Sequence, residues 1–165
     1  VGKAILMRMG IYSDKVHDVK DIPDGAIIAI PNDPTNGGRG LMLLERAGII
    51  KLKAGLGMKA TPKDIAENPK HVVIKELEAA QLPRGLQDVD AAAITMNYVM
   101  SGGLDVKKQN IFLESKDEPL AVMIIAARNK DKDKAEYKDF VKAYQSDSVR
   151  KFIADKYKGT IEPAF

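Results

Sequence analysis

Between Ala26 and Gly48 the sequence passes from a short apolar run to a helix with both ends marked, and few architectures accommodate that switch. Ala26-Ile27-Ile28-Ala29-Ile30 is too short and too β-branched for a helix, and reads as a buried strand. Asp33 then stands where a helix needs an N-cap, Pro34 fits the first helical position, and Leu41, Leu44 and Ala47 line one face. Gly48 closes the element. A buried strand feeding an amphipathic helix is the repeating step of an α/β fold.

The rest of the chain continues in that rhythm. Ile49 to Lys53 predicts a short strand, and Thr61-Pro62-Lys63-Asp64 repeats the cap-plus-proline start, with Asp64 completing a capping box. Pro69 is expected to stop that short helix. Val72-Val73-Ile74 predicts a strand, Leu82 to Leu86 a brief helix, and Ala91-Ala92-Ala93-Ile94 a buried strand running into Asn97-Tyr98. Residues 4–12 read as one strand ending at Tyr12-Ser13-Asp14. Ile111-Phe112-Leu113 and Leu120 to Ala127 are two more, the latter the most apolar of all.

Two helices close the chain. Residues 134–145 are predicted to bury Tyr137, Phe140, Val141 and Tyr144, and residues 147–157 to bury Val149, Phe152, Ile153 and Tyr157, all at steps of three or four. Interruptions near 12–15 and 103–111 predict two crossings between lobes. Residues 1–13 and 110–165 form the first lobe on this reading, and residues 14–109 the second.

Composition removes several classes of function. Lys+Arg 26 against Asp+Glu 23 leaves only +3, with the signs interleaved. Lys130-Asp131-Lys132-Asp133-Lys134 reads as a solvated helix entrance rather than a phosphate-tracking stripe, so nucleic acid is not an expected partner. With 0 Cys there is no disulfide framework, thiolate nucleophile or zinc-thiolate site. No apolar run approaches the roughly 18 residues of a membrane span. The chain opens directly on Val1-Gly2-Lys3-Ala4-Ile5-Leu6, as expected of a mature protein or of a piece that begins inside a fold.

His17 and His71 lie far apart and read as surface residues. Ser13, Ser101, Ser115, Ser146 and Ser148 have no nucleophile elbow around them. The methionines are expected to fill core. Neither metal nor cofactor is expected.

The informative stretch is Ile30-Pro31-Asn32-Asp33-Pro34-Thr35-Asn36-Gly37-Gly38-Arg39-Gly40. Each glycine in a helix costs about 1 kcal/mol relative to alanine, so something requires bare backbone there. Two readings are open. A helix N-terminus suits an anion, and Arg39 one turn in would add a bidentate grip on a carboxylate or phosphate. Alternatively the glycines serve tight packing and Arg39 pairs with a surface acid. The run is neither a phosphate loop nor a dinucleotide fingerprint.

That stretch, with Leu43-Leu44 and Gly48-Ile49-Ile50-Lys51-Leu52-Lys53, resembles the signature of the methionine-binding lipoprotein family of the NlpA type. Glu67-Asn68-Pro69-Lys70, Glu76-Leu77-Glu78-Ala79-Ala80-Gln81-Leu82-Pro83-Arg84 and Phe140-Val141-Lys142-Ala143-Tyr144-Gln145-Ser146 extend the resemblance in consistent order. It implies a type II periplasmic-binding-protein fold, in which two α/β lobes close on a free amino acid, methionine foremost. It also implies delivery to an ABC importer permease. By that analogy Arg39 holds the ligand carboxylate and Asn97 bonds the amino-acid head group. Glu78 meets the ammonium group or, alternatively, pairs with Arg84 or a lysine; Asn36, Gly38 and Tyr98 border the ligand.

The sequence departs from the family pattern in places. An N-terminal half-lobe, with the lipidated cysteine and the aromatic and histidine side chains around the methionine side chain, is missing. The first lobe is therefore expected to be incomplete, with a lipid anchor only on the absent part and a periplasmic or outer-face location. Leu6-Met7-Arg8-Met9 stands where relatives have an aromatic-proline pair. Marginal stability or self-association is expected of the incomplete lobe. The rivals are a surface lipoprotein acting as adhesin or scaffold, and an enzyme using the Arg39 anion site, for which no general base is evident.

Overall fold

The computed structural model describes residues 1–165. In chain order the elements are β1 (Gly2–Leu6), β2 (Met9–Tyr12), β3 (Ile27–Pro31), α1 (Pro34–Arg46), β4 (Lys51–Leu52), β5 (Ile65–Glu67), β6 (Val73–Leu77) and α2 (Leu82–Gly85). There follow β7 (Ala91–Thr95), α3 (Met96–Ser101), α4 (Val106–Gln109), β8 (Asn110–Leu113), β9 (Val122–Ile125), α5 (Ala135–Tyr144), α6 (Asp147–Tyr157) and β10 (Glu162–Pro163). The chain divides into two compact units, residues 1–8 with 115–165 and residues 9–114.

The divide falls at 8/9 and 114/115 rather than at 13/14 and 109/110. Residues 4–12 are not one strand. Met7 and Arg8 interrupt them, and β2 belongs to the sheet of the larger unit, paired antiparallel with both β7 and β8. An unbroken apolar run gives no warning of such a handover, because strand propensity is the same in either sheet.

The larger unit is built on a five-stranded sheet of order β6-β3-β7-β2-β8. β3 runs parallel to β6 and β7, while β2 is antiparallel to its neighbours. β3 and β7 are central strands, and Ile28, Ala29, Ile30 and Ala91 to Ile94 are almost wholly buried. Strands covered on both faces need that unbroken apolar character. Met9, Ile11, Leu41, Leu43 and Leu44 complete the core. Each large side chain so buried contributes about 1.5–3 kcal/mol.

The ends of α1 follow the predicted logic. Asp33 accepts the Asn36 amide at 2.9 Å and Pro34 opens the helix. Past Ala47 the chain turns through Gly48 at φ +75°, and Ile49 N–H reaches back to the Leu44 carbonyl at 3.0 Å. A side chain at that left-handed position would be strained, which is why glycine stands there. The second predicted helix does not form. Thr61 and Asp64 make the capping contact, with the Thr61 amide 3.0 Å from the Asp64 carboxylate, but only one 3-10 turn follows before β5. Three residues separate the cap from the strand that pairs with β4, too few for a helix.

The smaller unit carries a three-stranded antiparallel sheet, β10-β1-β9. Its interior is thin: Ala4, Leu6, Ala121, Ile153 and Ile161 are its buried apolar residues. Two expectations are corrected here. The strand predicted over Leu120 to Ala127 is only four residues long, and Ile124 is 67% exposed. The apolar stripes of α5 and α6 are only partly covered: Phe140 and Phe152 are exposed, Tyr137, Val141, Tyr144, Val149 and Tyr157 are half-buried, and Ile153 is buried. Helical spacing marks a face, but whether anything covers that face is a tertiary matter.

The charged run at 130–134 leads into α5 with Lys130, Lys132, Asp133 and Lys134 exposed, as a solvated helix entrance should be, and departs from that role at one residue. Asp131 is buried, gripped by Arg128 Nε at 3.0 Å and by Lys134 Nζ at 2.8 Å. The interleaved signs serve a local clasp around one acid.

Candidate functional site

All the sequence-predicted site residues lie in the larger unit, and the strand order brings most of them to one edge. β6, β3 and β7 are parallel neighbours, so their carboxyl ends share a side of the sheet. In an open α/β sheet that side is where ligands bind. The registers define a row along it. Leu77 is opposite Pro31, Thr95 is opposite Met9, and Glu114 N–H donates to the Met9 carbonyl at 3.0 Å.

Glu78 follows β6 and is exposed. Asn32 to Asn36 follow β3 as the entrance to α1. Asn97 and Tyr98 follow β7 in the first turn of α3, with Asn97 exposed and Tyr98 half-buried. The row therefore carries an acid, a helix entrance, an amide and a phenol.

Two of the three glycines of α1, Gly37 and Gly38, are explained by packing. A Cβ on Gly37 would lie 2.8 Å from the Pro31 carbonyl oxygen, and one on Gly38 would collide with the Met58 carbonyl. Protein backbone occupies the space that these bare positions create. Asn36 is turned toward the cap, its side-chain amide 3.2 Å from both Asp33 carboxylate oxygens. Asp33 itself takes the Asn36 N–H, so the helix entrance is already served by a carboxylate of its own chain.

Arg39 is buried, and its partner is Glu114. Nε donates to Oε1 at 2.8 Å and Nη2 to Oε2 at 2.5 Å, a bidentate pair. The Met9 amide donates to the same carboxylate at 2.6 Å. The acid expected beside Arg39 on the packing reading thus exists, but it lies in the interior rather than on the surface. Sequence reasoning missed Glu114; its one signal was a lone acid ending the apolar run Ile111-Phe112-Leu113.

A cavity of about 520 Å³ lies beside the first turn of α1, lined by Asn32, Asp33, Thr35, Gly38, Met58 and Glu76 among others. The cavity shares Asn32, Asp33 and Thr35 with the row, whereas Arg39, Glu78 and Asn97 do not line it. Among titratable groups of the unit, the Asp90 carboxyl is held below the ordinary carboxylate range, first by the Ile27 backbone N–H at 2.8 Å and then by Lys15 at 3.1 Å.

Compared with known proteins, the whole of this chain, residues 1–165, matches the family model described as NlpA lipoprotein. This chain belongs to the NlpA lipoprotein family. A probable D-methionine-binding lipoprotein MetQ of Pasteurella multocida is 42% identical over 161 residues, covering 98% of this chain and 58% of that protein. The D-methionine-binding lipoprotein MetQ of Salmonella typhimurium is 47% identical over 151 residues, 90% of this chain and 55% of that one. The chain thus spans little more than half the length of these relatives.

Among solved structures, a nutrient binding protein from Burkholderia cenocepacia bound to methionine superposes with a TM-score of 0.92. It is 50% identical, and the match covers 99% of this chain and 69% of that one. The fold is therefore that of the family's periplasmic substrate-binding proteins, as the resemblance in the sequence implied. No helix is long and apolar enough to cross a membrane.

Proposed function

We propose that this chain is part of a lipid-anchored receptor for a free amino acid, methionine foremost, which passes it to an ABC importer at the outer face of a bacterial membrane. The observation that carries the reading is its 50% identity, over 99% of its length, to a nutrient binding protein bound to methionine. Geometry adds support, because Arg39, Asn97, Glu78 and Tyr98 come from elements that share the carboxyl side of one sheet. Arg39 is the anchor for the ligand carboxylate, Asn97 bonds the amino-acid head group, Glu78 meets the ammonium group, and Tyr98 borders the site with Asn36 and Gly38. Binding and release require no group to be made or broken, and the role is that of a carrier rather than an enzyme.

The test is a calorimetric titration of the full natural gene product with L- and D-methionine, beside its Arg39→Ala variant. A charge-assisted contact is worth about 1.5–3 kcal/mol. Arg39→Ala is therefore expected to weaken binding at least about tenfold. Equal affinity of the two proteins would remove Arg39 from the site, and absence of binding by the natural protein would remove the function.

A further inference from the structure

Resting on that reading, we infer that Glu114 is a positioning residue for ligand recognition, which aims the Arg39 guanidinium at the ligand carboxylate and ties it to both ends of the larger unit. Three observations meet at this side chain. First, Glu114 holds Arg39 by two donors, Nε at 2.8 Å and Nη2 at 2.5 Å, which fixes the plane of the guanidinium as well as its position. A single point contact would leave the plane free to rotate.

Second, the carboxylate is itself held. The Met9 amide donates to Oε2 at 2.6 Å, while the Glu114 amide donates to the Met9 carbonyl at 3.0 Å. Met9 and Glu114 are the first and last residues of the larger unit. The orientation of Arg39 is thus set at the point where the chain enters and leaves that unit. Third, both partners are buried, with side-chain exposures of 6% for Arg39 and 1% for Glu114. Water neither screens the pair nor competes for its hydrogen bonds.

A buried ion pair contributes little net stability against an apolar pair of the same shape. Its value here is geometric. Recognition of a planar carboxylate by a planar fork depends on orientation, and a displacement on the order of 0.5 Å or 10–20° degrades such a contact. A glutamate that only stabilised the fold would affect every ligand alike, whereas one that aims Arg39 acts on the ligand's carboxylate alone.

That difference supplies the test. The full natural protein and its Glu114→Gln variant are titrated with methionine and with methionine methyl ester, which lacks the carboxylate charge. The natural protein is expected to prefer the free acid at least about tenfold. Glu114→Gln, folded as judged by its circular dichroism spectrum, is expected to lose most of that preference while binding the ester nearly as well as before.

Unchanged preference in the variant, a parallel loss for both ligands, or tighter binding of the free acid would each overturn the inference. Failure of the natural protein to bind methionine would instead overturn the receptor reading on which it rests. Should Glu114→Gln not fold, Glu114→Asp keeps the charge and withdraws it by one methylene. The same selective loss is expected there, and a natural preference in Glu114→Asp would refute the assignment.

Discussion

Gly38 of α1 and Met58 of the loop after β4 pack backbone against backbone, so closely that a Cβ on Gly38 would collide with the Met58 carbonyl. The glycine is therefore a steric requirement of the fold around the helix entrance. Gly38→Ala is expected to destabilise the protein by about 1–3 kcal/mol, the usual cost of overpacking. Gly40→Ala is the control: its nearest neighbour is Ile30 Cβ at 3.4 Å. There a gain of up to about 1 kcal/mol in helix propensity offsets mild crowding. Urea denaturation of both variants checks the contrast, and equal midpoints would refute it.

The pair of Arg39 and Glu114 predicts non-additivity. Removing one partner strands a buried charge, so Arg39→Met or Glu114→Leu alone is expected to cost about 3–5 kcal/mol. The double variant should cost less than either single change, because no charge is left without its counterpart. A double-mutant cycle by denaturation measures the coupling. Costs that simply add would show that the two side chains act independently.

Asp90 predicts part of the acid behaviour. The Ile27 N–H and then Lys15 favour its ionised form and lower its folded-state pKa. Its contribution to stability is therefore fully present above the ordinary carboxylate value, about 4. It is lost as pH falls through the lowered folded value, because the unfolded state then binds the proton more readily. Asp90→Asn should remove this part of the slope between pH 5 and 2, in the form of urea midpoints that change less steeply than those of the parent. Superimposable slopes would count against it.

The smaller unit predicts association. Phe140, Phe152 and Ile124 are all more than half exposed, and the interior beneath them is small. The 165-residue chain by itself is expected to self-associate or to melt at low temperature with poor cooperativity. Sedimentation velocity with a thermal scan decides this, and a monomer with a sharp melt would contradict it. In the associating case, Phe152→Lys should shift the distribution toward monomer.

What the sequence determined by itself is local in origin. The cap at Asp33, the proline at Pro34 and the stop at Gly48 delimit α1 because each acts within a few residues of the backbone it serves. Ile28 to Ile30 and Ala91 to Ile94 were legible as buried strands because unbroken apolar runs of that length have few other uses. The ordered motifs also carried the family, since they register shared descent and need no knowledge of contacts.

Only the tertiary structure decided the rest. Residues 2–12 are shared between two sheets, and α5 and α6 leave Phe140 and Phe152 exposed on faces that their spacing marked for burial. Above all, the partner of Arg39 is Glu114, 75 residues away. Pairing at such a distance is set by strand order and register, which bring the ends of β2 and β8 together beside α1. No pattern of neighbouring residues encodes that meeting, because its free energy exists only once the sheet has formed.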